Sequence, residues 1–315
     1  MRRLDFVVLG LPRGGTTATA AYLSAARGVH CGSEVFPTYL NHARLEVPEA
    51  FVTCEDAHWS ASSRDEVQAR AAELRWYGNK TPTYFYRLPT LLAELDNCPA
   101  LVCLRDLRAV AGSYARRAAN ARDTSWQAGR VGLFALGDAL LLLHALRACP
   151  PEARVMVVPQ SALQADWRAV MTRALAHVAP QAAPDFDPAR LVEAEQWRTG
   201  TTSYPDLSAT EDKALKRLDR AGVTSFFARP KVALLEDLRE EIDAVLAQAP
   251  PNPINFMRRH VAAHPNLEVQ DHLCLWSRHA ARASRLYGLK GRVVKPSELP
   301  LSEPIPTAQT QTGGR

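Results

Sequence analysis

The sequence predicts an α/β fold in which helices flank both faces of a central parallel β-sheet. Short, continuous, β-branched apolar runs alternate with helical patterns, as is typical of strands buried on both faces of a parallel sheet. A glycine turn joins the first of these runs to its helix, and from about residue 210 helical patterns dominate. We therefore expect a P-loop-like sheet followed by a mainly helical C-terminal region.

Three apolar runs are predicted to be strands, each followed by a helix. LDFVVLGL (4–11) leads to a helix over about 16–26, ALVCL (100–104) to one over 109–119, and RVMVV (154–158) to one over 163–178. In such sheets, ligands bind beyond the carboxyl ends of the strands. The turns PRGG and RDLR follow the first two runs at this edge, where we expect the binding site.

The remaining segments complete a single predicted domain over residues 1–294. Residues 30–99 have no clear period and carry aromatic and turn residues, so we expect loops that contact the substrate. GLFALGDALLLLHALRA is apolar all round and is predicted to be a core helix. The other expectations are a long loop over 181–210, helices over 210–249 and 267–286, and a disordered Pro/Thr/Gln-rich tail over 295–315.

Composition limits the classes of function. The 315 residues include 47% hydrophobic and 23% charged residues, with a net charge of +5 and a pI of about 9.0. This modest charge favours an anionic ligand, whereas no basic tract indicates nucleic acid. Asp5 and Pro12 interrupt the N-terminal apolar segment, and no run approaches the roughly 18 apolar residues of a membrane span. We expect no membrane partner.

Cysteine and histidine spacing indicates neither a disulfide framework nor a metal site. The six cysteines are scattered and form no CxxC pair, which favours free thiols and a cytoplasmic location. His260 and His264 lie four residues apart, but they lack the glutamate of an HExxH motif and a third ligand. No metal is therefore expected.

The first strand continues as PRGGTT, which has the pattern of a phosphate-binding turn. Backbone N–H groups and the helix dipole converge at such a turn, and Gly14 and Gly15 let the main chain approach an anion. The hydroxyls of Thr16 and Thr17 can add hydrogen bonds. A Walker A loop would have lysine in place of Thr16, and no Walker B strand ending in aspartate is found. ATP or GTP hydrolysis is therefore disfavoured, and Arg13 suits charge on a leaving phosphate.

PRGGTT after an apolar strand resembles the 5′-phosphosulfate loop of sulfotransferases, which use 3′-phosphoadenosine 5′-phosphosulfate (PAPS) and have Lys or Arg where Arg13 stands. LVCLRDLRAVAGSYARR is similar to the family's 3′-phosphate site, which implies that role for Arg105 and Ser113; guanidinium and hydroxyl groups suit phosphate oxygens. Asp106 and Arg108 are expected to shape the turn. The implied PAPS contacts are Arg13, Gly14, Gly15, Thr16, Thr17, Arg105 and Ser113.

Two further stretches resemble the tyrosylprotein sulfotransferase branch. VHCGSEVF is similar to its Cys-Gly-x-Glu stretch, whose glutamate takes the proton from the acceptor hydroxyl, which implies that Glu34 is the general base. YGNKTPTY is similar to its Asn-Lys-Asp-Pro, whose lysine stabilises the sulfuryl group and the leaving phosphate, and this implies the same role for Lys80. Thr81 replaces the acidic residue, which leaves the local loop geometry open. His30 is an alternative base.

The resemblance implies sulfuryl transfer from PAPS to an acceptor hydroxyl, with Glu34, Arg13 and Lys80 as catalytic residues. The first expectation for the acceptor is a tyrosine in an acidic peptide or protein, bound through residues such as Arg116, Arg117 and Arg122. The Ala/Arg-rich composition suggests a bacterial origin, which keeps carbohydrates, lipids and small phenols open. A P-loop small-molecule kinase and a non-catalytic nucleotide- or sulfate-binding module are the alternatives, and homodimerisation stays open.

Overall fold

The computed structural model describes residues 2–53, 60–199, 206–262, 264 and 266–289. Its strands are β1 (Phe6–Gly10), β2 (Val29–Ser33), β3 (Trp76–Lys80), β4 (Ala100–Leu104), β5 (Val155–Pro159) and β6 (Ala233–Leu234). They form one sheet in the order β2-β3-β1-β4-β5-β6, in which β6 is antiparallel to β5 and the other neighbours are parallel. The predicted α/β fold is confirmed, with an antiparallel strand added at one edge.

Helices cover both faces of the sheet. They are α1 (Thr16–Ala25), α2 (Glu49–Thr53), α3 (Ser60–Ala69), α4 (Leu88–Glu94), α5 (Leu107–Ala118), α6 (Gly132–Ala148), α7 (Gln160–Ala165), α8 (Trp167–Val178), α9 (Pro188–Thr199), α10 (Ala209–Arg220), α11 (Val223–Phe227), α12 (Arg239–Gln248), α13 (Pro253–Val261) and α14 (Leu267–Leu286). Short 3₁₀ helices span His42–Arg44, Pro82–Arg87 and Glu236–Leu238.

The core has two parts, one on each face of the sheet. Helices α1, α8 and α9 pack on one face, and α4, α5, α6 and the C-terminal helices pack on the other. Every residue of α6 from Gly132 to Leu146 is buried, which confirms the predicted core helix. Because both faces are covered, the carboxyl ends of the strands form the edge at which a ligand has access.

Residues 30–99 were expected to be irregular, but they contain most of β2, all of β3 and the helices α2, α3 and α4. The prediction was wrong because polar residues and glycine mask both strands. Gly78 leaves room for the ring of Phe6: a Cβ there would lie 2.1 Å from Phe6 Cε2. Asn79 and Lys80 are fully or almost fully buried because their polar groups have partners, which are described with the site.

The predicted long loop over 181–210 contains helix α9. Pro188 is its first residue, a position where the missing N–H of proline costs nothing. Asp187 precedes it and accepts a hydrogen bond from the Ala189 N–H at 2.9 Å. Asp187 and Pro188 therefore begin a helix within the segment that was predicted to be a loop.

Two expectations concern other parts of the chain. The predicted tail over 295–315 lies outside the described residues. Of the helices that are described, none is long and apolar enough to cross a membrane.

Candidate active site

The turn between β1 and α1 has the backbone of an anion cradle. The Gly14 N–H donates to Leu11 O at 2.8 Å, and a Cβ at Gly14 would lie 2.7 Å from that oxygen, so a side chain does not fit. Arg13 and Gly15 have φ values of 65° and 96°. Helix α1 begins at Thr16 without a side-chain cap at Gly15, so its first N–H groups face the turn.

The predicted phosphate contacts of the first and second turns lie together. Arg13 Nε donates to Ser113 Oγ at 3.1 Å, and Arg105 Nη1 donates to Arg13 O at 3.2 Å. They meet because β1 and β4 are neighbours, with Gly10 opposite Cys103. Ser113 is fully buried, so its hydroxyl is fixed beneath the arginine.

The residues at the start of α5 and directly after β5 complete this half of the edge. Asp106 caps α5 by accepting from the Ala109 N–H at 2.9 Å, and Arg108 forms an ion pair with Asp212 at 3.0 Å. Gln160 follows β5 and borders the phosphate turn, since a Cβ at Gly15 would lie 2.0 Å from its Oε1. Gln160 was not predicted as a site residue. Its position directly after a predicted strand was the signal that could have identified it.

Glu34 and Lys80 form an ion pair at the carboxyl ends of β2 and β3. Lys80 Nζ lies 2.8 Å from Glu34 Oε1, and the Glu34 N–H donates to Lys80 O at 2.6 Å. The register explains the contact, because Ser33 is opposite Lys80. The two side chains differ in exposure: 3% for Lys80 and 44% for Glu34. A buried cation therefore holds an accessible carboxylate.

The segment that follows the glutamate is fixed by a buried polar network. Asn79 Oδ1 accepts from the Val35 N–H at 3.2 Å, and its Nδ2 donates to Tyr84 OH at 2.6 Å. Thr81 Oγ1 and Tyr84 OH both donate to Phe36 O, at 3.0 and 2.9 Å. The hydroxyl of Thr81 thus anchors this loop where the resemblance leads one to expect an acidic residue. Asn79 and Tyr84 were not predicted as site residues, although both lie in the stretch YGNKTPTY.

His30 is badly placed to act as the alternative base. Its side chain is only 1% exposed, its Nε2 lies 2.7 Å from Ser63 Oγ, and its Nδ1 lies 3.3 Å from Glu66 Oε1. Nε2 is thus paired with a residue of α3, whereas Nδ1 makes no hydrogen bond and is buried near the Glu66 carboxylate. Of the two candidate bases, Glu34 is the accessible one.

His260 and His264, the two histidines considered as metal ligands, have hydrogen-bond partners within the protein. His260 is buried, and its Nδ1 lies 2.8 Å from Phe256 O in the same helix. Within the ranges that the structure covers, no three His, Cys, Asp or Glu side chains are grouped as a metal site requires.

Comparison with known proteins decides the family. A model described as "Sulfotransferase family" matches residues 5–181, which include every site residue described above. The chain belongs to the sulfotransferase family. The tyrosylprotein branch stays a prediction, and helices α9 to α14 lie beyond the matched range.

Two solved sulfotransferase structures are similar to this chain. The sulfotransferase domain from the Synechococcus PCC 7002 olefin synthase is 17% identical, with 73% of this chain and 96% of that chain covered and a TM-score of 0.41. The sulfotransferase domain from the curacin biosynthetic pathway is 15% identical, with coverage of 69% and 98% and a TM-score of 0.40. No curated protein matches the chain.

Proposed function

We propose that this sulfotransferase uses PAPS as the donor and that Glu34 is the general base for the acceptor hydroxyl. The observation that carries the proposal is the meeting of two separate groups at one edge of the sheet. An anion cradle with Arg13, Arg105 and Ser113 lies beyond β1 and β4. The Glu34–Lys80 ion pair lies beyond the neighbouring strands β2 and β3.

The donor half fits a nucleotide that carries phosphate groups. The turn at Gly14 and Gly15 offers backbone N–H groups, and the N-terminus of α1 has no side-chain cap to occupy them. Arg13 and Arg105 add two guanidinium groups that suit phosphate oxygens. PAPS supplies a sulfuryl group bonded to a phosphate that leaves as an anion. Arg13 is positioned in the turn to stabilise that charge.

The acceptor half fits proton removal from a hydroxyl. The carboxylate of Glu34 is accessible, and the main-chain bond to Lys80 O fixes the position of its backbone. As Glu34 takes the proton, its bond to Lys80 Nζ weakens, and the ammonium group is then available for the developing negative oxygen. Glu34 and Lys80 thus contribute to the transfer by positioning the acceptor, removing its proton and stabilising negative charge.

The tyrosine acceptor rests on the resemblance of two motifs. Among the arginines expected to bind an acidic peptide, Arg117 already has partners: its Nε lies 2.5 Å from Asp123 Oδ2, and its guanidinium lies 4.7 Å from the Trp126 ring centre. Arg122 is exposed. The acidic tyrosyl peptide is therefore one acceptor class to be tested, beside carbohydrates, lipids and small phenols.

The proposal is tested by separating nucleotide binding from turnover in the Glu34→Gln variant. We expect affinity for adenosine 3′,5′-bisphosphate, measured by calorimetry, to stay within about twofold. Transfer of labelled sulfate from PAPS should fall by about 10²–10⁴-fold, the usual contribution of a general base. Glu46→Gln, a change at an exposed glutamate, is the control. Equal losses of binding and turnover would contradict the assigned role, and binding of ATP·Mg²⁺ instead of the bisphosphate would favour a kinase.

A further inference from the structure

A cleft of about 160 Å³ follows the outer edge of β2 between helices α1, α3 and α9. Its lining includes Thr17 and Ser33. Thr17 belongs to the first turn of α1, directly beyond the phosphate turn, and Ser33 precedes Glu34. The cleft therefore lies beside the transfer site, on the β2 side, whereas the arginines of the donor half lie on the β4 side.

The charged residues that line this cleft are Glu66, Arg190 and Glu193, so its lining has no excess of positive charge, unlike that of the donor half. Glu66 Oε1 lies 2.5 Å from Arg190 Nη1 and 2.7 Å from Arg70 Nη1. Burial alone would raise the pKa of Glu66, but its contacts with His30, Arg190 and Arg70 outweigh burial and lower that pKa to about 2. Arg190 is thus neutralised, and the exposed Glu193 adds a negative charge to the wall. An anionic acceptor gains no attraction from such a lining.

The wall formed by α9 carries an exposed aromatic ring. Trp197 lines the cleft and is 48% exposed, although large apolar residues are usually buried. An indole offers a flat apolar face together with a polar N–H, which suits a ring that is apolar on its faces and polar at its rim.

The opposite walls carry hydroxyl groups. Thr17, Ser24, Ser33 and Ser63 all line the cleft. Ser24 Oγ accepts from the Cys31 N–H at 2.9 Å and donates to Cys31 O at 3.4 Å, so it retains one lone pair. Ser63 Oγ is paired with His30 Nε2 at 2.7 Å. The lone pairs that these hydroxyls retain can accept from a ligand with several hydroxyls, whereas a phenol ring offers only one.

We infer that this cleft binds the acceptor and that the acceptor is a neutral saccharide, an assignment that rests on the proposed function. A sugar ring packs on Trp197, its hydroxyls bond to the serine hydroxyls, and one hydroxyl extends past Ser33 toward Glu34. In the transfer, that hydroxyl oxygen forms a bond to sulfur and its proton passes to Glu34. The bond from sulfur to the phosphate oxygen breaks, and its electron pair stays on adenosine 3′,5′-bisphosphate.

The test compares acceptors and two variants of the full-length chain. Transfer of labelled sulfate from PAPS is measured to a set of neutral disaccharides (lactose, maltose and cellobiose), to 4-nitrophenol and to an acidic tyrosyl peptide. Trp197→Ala removes the stacking surface. Val192→Ala is the matched control, because Val192 is 60% exposed on the same helix and does not line the cleft.

We expect a disaccharide to accept sulfate, and Trp197→Ala to raise its KM by about three- to tenfold, the size of a lost aromatic contact. KM for PAPS and affinity for adenosine 3′,5′-bisphosphate should not change in either variant. The inference is overturned if no disaccharide reacts, if only the phenol or the peptide reacts, or if Trp197→Ala leaves KM for the saccharide unchanged. Failure of the proposed function looks different, because the unmodified protein would then bind no adenosine 3′,5′-bisphosphate.

Discussion

The unequal burial of Lys80 and Glu34 predicts that their removal has unequal effects on stability. Replacing Glu34 by alanine leaves an ammonium group that is 3% exposed without its carboxylate at 2.8 Å. Replacing Lys80 by methionine leaves a carboxylate that is 44% exposed and can be hydrated. Loss of one partner from a fully buried pair costs about 3–5 kcal/mol, whereas exposed pairs contribute about 0–1 kcal/mol.

Because one partner is solvated, we place the cost of Glu34→Ala at about 2–3 kcal/mol and that of Lys80→Met below about 1 kcal/mol. In a chain of this size, about 1 kcal/mol lowers the melting temperature by roughly 2 °C. The expected shifts are therefore about 4–6 °C for Glu34→Ala and about 2 °C or less for Lys80→Met. The double variant should melt close to Lys80→Met, because the buried charge that caused the larger loss is gone.

Thermal and urea unfolding of the four proteins in this cycle give the comparison, with Glu46→Ala as the exposed control. Equal losses in the two single variants would refute the reasoning, and so would a larger loss in Lys80→Met. Either result would mean that the ammonium group finds other compensation when Glu34 is removed.

Two more predictions concern the turn and the core. Gly15→Ala should cost about 1–3 kcal/mol, because φ is 96°, and should weaken binding of adenosine 3′,5′-bisphosphate at least tenfold; Gly28→Ala, at φ 76°, should keep that affinity. Burial, and then Arg147, lower the pKa of His144 to about 4 from 6.5, so the unfolded chain binds the proton more readily and stability falls as pH drops from 6.5 to 4. Urea unfolding at pH 7 and pH 4.5 should show that His144→Leu removes about 2–3 kcal/mol of this loss; an unchanged pH dependence would contradict the assignment.

The parts of the fold that followed from the sequence are those whose signal is local. β1, β4 and β5 are continuous apolar runs, and α6 is apolar on every side, so burial follows from composition alone. The glycine turn after β1 is local in part, because a Cβ at Gly14 would meet Leu11 O, three residues earlier, whereas the contact that excludes a Cβ at Gly15 is with Gln160 on a distant segment.

The strands that were missed are buried through partners distant in the sequence. Asn79 is fully buried because it bonds to the segment after Glu34, more than 40 residues earlier in the chain. Lys80 is buried because Glu34 lies opposite it. No window around VHCGS or WYGNK contains these partners, so hydrophobic periodicity does not identify either strand. The motif resemblance nevertheless selected both residues of the ion pair.

The order of the strands in the sheet sets the order of the candidate site residues along its edge. Glu34 follows β2, Lys80 ends β3, the phosphate turn follows β1, Arg105 follows β4 and Gln160 follows β5, which is also the order of these strands across the sheet. Neighbouring strands are about 4.8 Å apart, so the base and Arg105 are separated by three such steps, or about 14 Å. In the proposed function, the nucleotide occupies the β1–β4 side with its leaving group near β1, and the acceptor enters along β2 from the opposite side. Under the proposed function, this topology separates the two substrates along one edge, with Lys80 on the strand between them.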